Sequence, residues 1–93
     1  MSKFITRVEL HGATNVDYLV LHQEMRKRNF SQIIRGDDGK LYQLPPAEYF
    51  SFGDIQGEDV RELARDAADL TGKRSAVLVS EYRAAFWVGL QLA

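Results

Sequence analysis

Two segments of helical periodicity, each set between segments that alternate with period two, narrow the folds open to this chain more than any other feature. From Val16 to about Asn29, Tyr18, Leu21 and Met25 recur at helical spacing, and Leu19 and Val20 widen the stripe. From Gly57 or Glu58 to about Leu70, the residues Val60, Leu63, Ala64, Ala67 and Leu70 follow the i, i+3, i+4, i+7 pattern. Thr14 with Asp17 resembles a capping box at the first helix. Arg26, Lys27 and Arg28 complement the dipole at its end, and Gly72 stops the second helix.

The flanking segments read as strands. Phe4, Thr6, Val8 and Leu10 point one way, while Lys3, Ile5, Arg7, Glu9 and His11 point the other. Phe30 to Arg35 and Lys40 to Leu44 face each other across Gly36-Asp37-Asp38-Gly39, whose residues tolerate the dihedrals of a tight hairpin. Pro45-Pro46 interrupts the second of these, and Glu48 to Phe52 extends it past a bulge. Ser75 to Glu81 is a further strand, and Phe86 to Leu92 a short last one.

The order strand–helix–strand–strand–helix–strand predicts an α+β, ferredoxin-like βαββαβ sandwich with both helices on one face of an antiparallel sheet and a short extra C-terminal strand. A chain of 93 residues is one domain, spanning 1–93. At this size it hides roughly 60–65% of its unfolded surface, so dimerisation would add useful stability. The open face would carry Ile5, Arg7, Glu9 and His11 from a central strand, a mixture too polar for a core.

Composition removes several classes of function. The chain has no cysteine, hence neither disulfides nor thiolate metal sites. It has no signal-peptide or membrane-spanning run, which leads to the expectation of a cytoplasmic protein that does not engage a membrane. A net charge of −1 means that any nucleic-acid contact must come from a local patch. Nucleophile elbow, phosphate loop, dinucleotide fingerprint and zinc motif are all absent, which counts against most metabolic enzymes but not against a ribonuclease; no metal site and no small-molecule cofactor is expected.

The candidate chemical group is His11 with Arg7 and Glu9, His11 being read otherwise as a surface residue that ends the strand. RNA transesterification needs a base for the 2′-hydroxyl proton and an acid for the leaving 5′-oxygen, and imidazole serves either role near neutral pH. Arg7 could stabilise the charged phosphorane, and Glu9 could orient the ring. His22 is expected at the helix–sheet boundary or in solvent. Arg26, Lys27, Arg28 and Arg35 form a candidate nucleic-acid-binding patch, read otherwise as a solvated helix end. Asp37 and Asp38 could bind Mg²⁺ through their carboxylate oxygens, but read first as turn residues. Tyr42, Tyr49, Phe50 and Phe52 could stack on bases, or fill a core or an interface. Phe86, Trp87 and Leu90 on the last strand are candidates for a homodimer interface, because an exposed apolar edge invites pairing.

One stretch carries a family likeness. Asn29-Phe30-Ser31, then Ile33-Ile34, Gly39 and Gln43-Leu44, resembles the matching stretch of the GhoS family, the antitoxin endoribonucleases of type V toxin–antitoxin systems. The order of elements is similar along nearly the whole chain, while residues from Gly53 onward match poorly. The resemblance implies a fold similar to that of the CRISPR adaptation nuclease and the VapD ribonucleases. It also implies an endoribonuclease that cleaves single-stranded mRNA encoding a small membrane-active toxin. The first strand ends in Glu9-Leu10-His11 where the adaptation nuclease has an aspartate, which argues against a metal-dependent mechanism. The alternative is a non-catalytic interaction module of phage or mobile-element origin that binds a host protein or nucleic acid. Metabolite sensing on the open face is a third reading.

Overall fold

The computed structural model describes residues 1–93. Strand β1 (Ser2–Leu10) is its centre, and the alternation of its sequence is realised as alternation of burial: Phe4, Thr6, Val8 and Leu10 are buried, whereas Lys3, Arg7 and Glu9 are exposed. Helix α1 (Asn15–Lys27) begins with the expected box, in which Asp17 N donates to Thr14 Oγ1 at 3.3 Å and Thr14 N donates to Asp17 Oδ2 at 2.9 Å. These bonds satisfy donors that would otherwise be orphaned at the helix start. The helix ends with Asn29 at φ 67°, a conformation asparagine tolerates better than most residues. There Phe30 N donates to Met25 O at 3.1 Å and Asn29 N to Arg26 O at 3.1 Å. This is the paired-bond closure of a Schellman turn, and it brings Phe30 into the same core cluster as Met25.

The middle of the chain departs from expectation. Strands β2 (Ile33–Arg35) and β3 (Leu41–Gln43) form a two-stranded sheet of their own. The strand that pairs with β1 is a separate one, β4 (Glu48–Gly53), rather than an extension of Lys40–Leu44. Pro45 and Pro46 donate no ladder bonds, and Ala47 at φ 67° redirects the chain between the two strands. The expected strand Phe30–Arg35 is likewise divided. Ser31 bridges Phe50 of β4 through bonds of 2.8 and 2.7 Å, then its own Oγ accepts Ile33 N at 3.1 Å as the chain turns away into the hairpin.

Helix α2 (Gly57–Asp69) buries Val60, Ala64, Ala67 and Ala68. The small side chains set its buried arc, which leaves Leu63 and Leu70 at the surface, contrary to the sequence stripe. Strand β5 (Ser75–Tyr82) completes the antiparallel sheet β4-β1-β5. The single bridge at Ser31, outside β4, stands where the fourth strand of the ferredoxin-like order would lie; both helices cover one face, over a core of Phe4, Val8, Leu10, Leu21, Met25, Phe30, Tyr49 and Val60. Each fully buried side chain of this size contributes about 1.5–3 kcal/mol.

The extra C-terminal strand is reduced to a single bridge between Leu92 and Tyr42, with Gln43 N donating to Gln91 O at 2.8 Å and Ala93 N to Leu41 O at 3.0 Å. Gly89 at φ 84° breaks the extended run predicted over Phe86–Leu92. No helix is long and apolar enough to cross a membrane.

Candidate nucleic-acid interface

Antiparallel register places directly paired residues on the same side of a sheet. The face away from the helices therefore carries the rows Phe52–Lys3–Tyr82, Phe50–Ile5–Ser80 and Glu48–Arg7–Leu78, followed by Glu9 with Ala76. Neither helix covers this face. Phe52 is 62% and Leu78 64% exposed. The rings of Phe50 and Phe52 stack on one another at 5.8 Å with 27° between their planes. Period-two alternation along β4 puts them here and sends Tyr49 into the core, which divides the aromatic group read from the sequence. Tyr42, the fourth of that group, lies on the hairpin against Trp87, with ring centroids 5.5 Å apart.

Cations line the same face. Lys3 Nζ stands 5.2 Å from the centroid of the Tyr82 ring, at cation–π distance. Neither Lys3 nor Arg7 enters a salt bridge, although Glu48 pairs opposite Arg7 across the strands. Both keep their charge free for an anion. Lys3 was not singled out from the sequence, yet it shares the strand parity of Arg7, which was the available signal.

His11 follows β1 directly, its N–H donating to Arg74 O at 2.8 Å. Its Nδ1 lies 3.8 Å from Glu9 Oε1, with both side chains more than half exposed. That separation is too long for a hydrogen bond and makes an ion-pair contact when the ring is protonated. Arg7 and Glu9 also line a hollow beyond the end of β4, together with Tyr18 and His22. In that gap the free edge of β1 is satisfied by a side chain, since Leu10 N donates to Tyr18 Oη at 3.1 Å.

His22 occupies the helix–sheet boundary, with Nδ1 at 2.6 Å from the Tyr49 hydroxyl. Burial, and after it the charge of Arg26, holds the imidazole below the ordinary histidine value of 6.5. Burial, and after it Tyr18, pushes the Tyr49 phenol well above the usual tyrosine range. The neutral phenol is thus the natural donor and the neutral imidazole the acceptor.

The four cations read as one patch are dispersed. Lys27 Nζ and Arg28 Nη1 both bind Glu24, at 3.0 and 3.1 Å, and these two bonds are the main reason the Glu24 carboxyl sits below its usual range. Arg26 faces a hollow with Ser31, Gln32 and Phe52 at the β4 edge of the open face. Arg35 lies on the hairpin, in a different hollow with Lys3 and Arg83. Gly36-Asp37-Asp38-Gly39 is the expected turn, closed by Gly39 N donating to Gly36 O at 2.9 Å. Asp38 accepts from Lys40 N at 2.9 Å and from the Tyr42 hydroxyl at 2.5 Å, the latter being the larger cause of its lowered pKa. No three His, Asp or Glu side chains gather to form a metal cluster.

Of the candidate interface residues, Phe86 is 92% exposed, while Trp87 and Leu90 are half-buried. Trp87 packs on Tyr42 of its own chain. No protein-family model matches this chain, and no curated protein does.

Proposed function

We propose that this chain is a GhoS-like antitoxin endoribonuclease, which holds single-stranded RNA across the open sheet face and cuts it at the His11 end. The observation that carries the proposal is the stacked pair of half-buried Phe50 and exposed Phe52 beside the unpaired cations Lys3 and Arg7. Every base has a π-face, and stacking on an aromatic side chain contributes about 1–3 kcal/mol per base. The unpaired cations supply phosphate contacts despite a net charge of −1.

At the end of β1, His11 takes the proton from a 2′-hydroxyl, and the freed oxygen attacks the adjacent phosphorus. Arg7 neutralises the phosphorane, and the leaving 5′-oxygen takes its proton from the imidazolium or from water. Glu9, at 3.8 Å, makes an ion-pair contact with the imidazolium once His11 has taken the proton. The substrate class, a toxin transcript, follows from the likeness over Asn29–Leu44. We include a homodimer in the proposal, because β5 is an open edge strand and Phe86 is exposed beside its end.

The test is end-mapped cleavage of a mixed single-stranded RNA pool by wild type and His11→Ala. Discrete cuts that vanish in His11→Ala, with unchanged RNA retention and unfolding temperature, are expected. Cuts that persist in the variant would remove His11 from the mechanism. A second reading, an RNA-binding module without catalysis, is favoured by one observation: Glu9 is beyond hydrogen-bonding distance of His11. Retention without cuts in wild type would select it.

A further inference from the structure

A separate hollow of about 430 Å³ lies between the hairpin, the end of β5 and the C-terminal segment. Three cations border it, Lys3, Arg35 and Arg83, and none of them makes a salt bridge. They come from three distant parts of the sequence. The walls are aromatic: Trp87 stands edge-on to Tyr42 at 5.5 Å, and Tyr82 lies under Lys3. Unpaired cations beside aromatic faces, in a concave site, match a phosphate joined to a planar base.

We infer that this hollow is a subsite for a nucleoside 5′-phosphate, with the phosphate on Lys3, Arg35 and Arg83 and the base against Trp87. Two carboxylates of the turn also reach the hollow. That of Asp38 is already occupied by Lys40 N and Tyr42, which leaves the exposed Asp37 to accept from a ribose hydroxyl or a base amine. Inorganic phosphate brings neither the ribose hydroxyls nor a base to lie against Trp87, so the site favours the whole nucleotide. Lys3 and Tyr82 also belong to the open face, so the hollow continues the RNA path at the end of β1 opposite His11. At about 3.3 Å per residue, the eight steps from Lys3 to His11 separate the two ends by about 26 Å. The inference deepens the RNA-binding reading and rests on it for the source of the nucleotide, which is either free or the 5′ end of a strand.

Trp87 is the single tryptophan of the chain, so its fluorescence reports this hollow alone. The experiment titrates the full chain with 5′-AMP, adenosine, inorganic phosphate, and a short single-stranded RNA with or without a 5′-phosphate. Saturable quenching by 5′-AMP is expected, with adenosine and inorganic phosphate each weaker. Arg35→Ala and Arg83→Ala, at exposed positions that leave the fold intact, each weaken 5′-AMP about tenfold. Tighter binding of the 5′-phosphorylated RNA than of both 5′-AMP and the unphosphorylated RNA supports the site and identifies a strand end; no gain from the 5′-phosphate, with 5′-AMP still binding, supports it and identifies the free nucleotide. Absence of saturable quenching by 5′-AMP, or wild-type affinity in both arginine variants, overturns the inference. Phe52→Ala separates the two readings, since it should lower RNA affinity on the open face while leaving the 5′-AMP response unchanged.

Discussion

Replacing Tyr49 by phenylalanine removes one oxygen from the centre of the core and should change both the level and the pH dependence of stability. Tyr49 is 0% exposed, and its hydroxyl lies 2.6 Å from His22 Nδ1. Phenylalanine keeps the ring and its edge contact with Phe30, whose centroid is 6.5 Å away. The loss is therefore one hydrogen bond, and it leaves a partly buried imidazole nitrogen without its donor. A net bond contributes about 0.5–1.5 kcal/mol, and an unsatisfied buried acceptor adds to the penalty. We expect a deficit of about 1 kcal/mol at pH 8, which for a domain of this size lowers Tm by about 4–8 °C.

The sign of the pH dependence follows from His22. Its folded-state pKa is lowered from 6.5, first by burial and then by Arg26. The folded chain therefore binds fewer protons than the unfolded chain as pH falls through 6.5. The stabilisation is fully present above that value and is lost progressively from 6.5 down to the lowered pKa. The Tyr49 hydroxyl adds to it by bonding the neutral form. Without the hydroxyl, protonation opposes less, and the gap between wild type and Tyr49→Phe should narrow at pH 5. Thermal unfolding followed by circular dichroism at pH 8 and pH 5 measures both effects. A variant with wild-type Tm at pH 8, or with the same deficit at both pH values, would refute the donor assignment.

Gly36 tests the wall of the second hollow. A Cβ there would stand 2.8 Å from Asp38 Oδ1, 3.0 Å from Tyr42 Cε2 and 3.3 Å from Trp87 Cζ2. Gly36→Ala should therefore push the Asp38 carboxylate aside first and disturb its bond with the Tyr42 hydroxyl, lowering Tm, and an unchanged Tm would mean that the wall yields at no cost. Ala64 lies fully buried on α2, so Ala64→Leu should cost about 1–3 kcal/mol through overpacking and lower the denaturation midpoint in urea. An unaltered midpoint would show that the helix stands further from the sheet than described.

What could be read from the sequence was mostly local. The alternation of β1, the Thr14–Asp17 box and the turn at Gly36–Gly39 depend on neighbours within a few residues, and all three form as their chemistry dictates. The pairing of Lys27 and Arg28 with Glu24 is equally local, at i+3 and i+4, and it was the available sign that this run of cations is partly neutralised. Long-range register was not legible. Pro45-Pro46 marks an interruption, but nothing near it indicates that the segment after the prolines, and not the one before, pairs with β1. The apolar residues after Ala85 resemble a strand until Gly89 turns the chain, and Tyr42, the bridge partner of Leu92, lies far back in the sequence. For the same reason the meeting of Lys3, Arg35 and Arg83 depends on the hairpin and the C-terminal segment closing over the sheet end. The rows on the open face became assignable once β4 was known to lie beside β1, whereas the parity of Phe50 and Phe52 was visible beforehand.

The central claim is that the open sheet face binds single-stranded RNA by stacking, and equilibrium binding of a labelled single-stranded RNA to wild type, Phe50→Ala and Phe52→Ala tests it most directly. At about 1–3 kcal/mol per stacked base, each variant should bind roughly 5- to 150-fold more weakly. For Phe52→Ala, at an exposed position, Tm should not change. Wild-type binding should also weaken as salt rises, through the contacts of Lys3 and Arg7 with phosphates. Wild-type affinity in Phe52→Ala, or binding that is indifferent to both phenylalanines, would contradict the account.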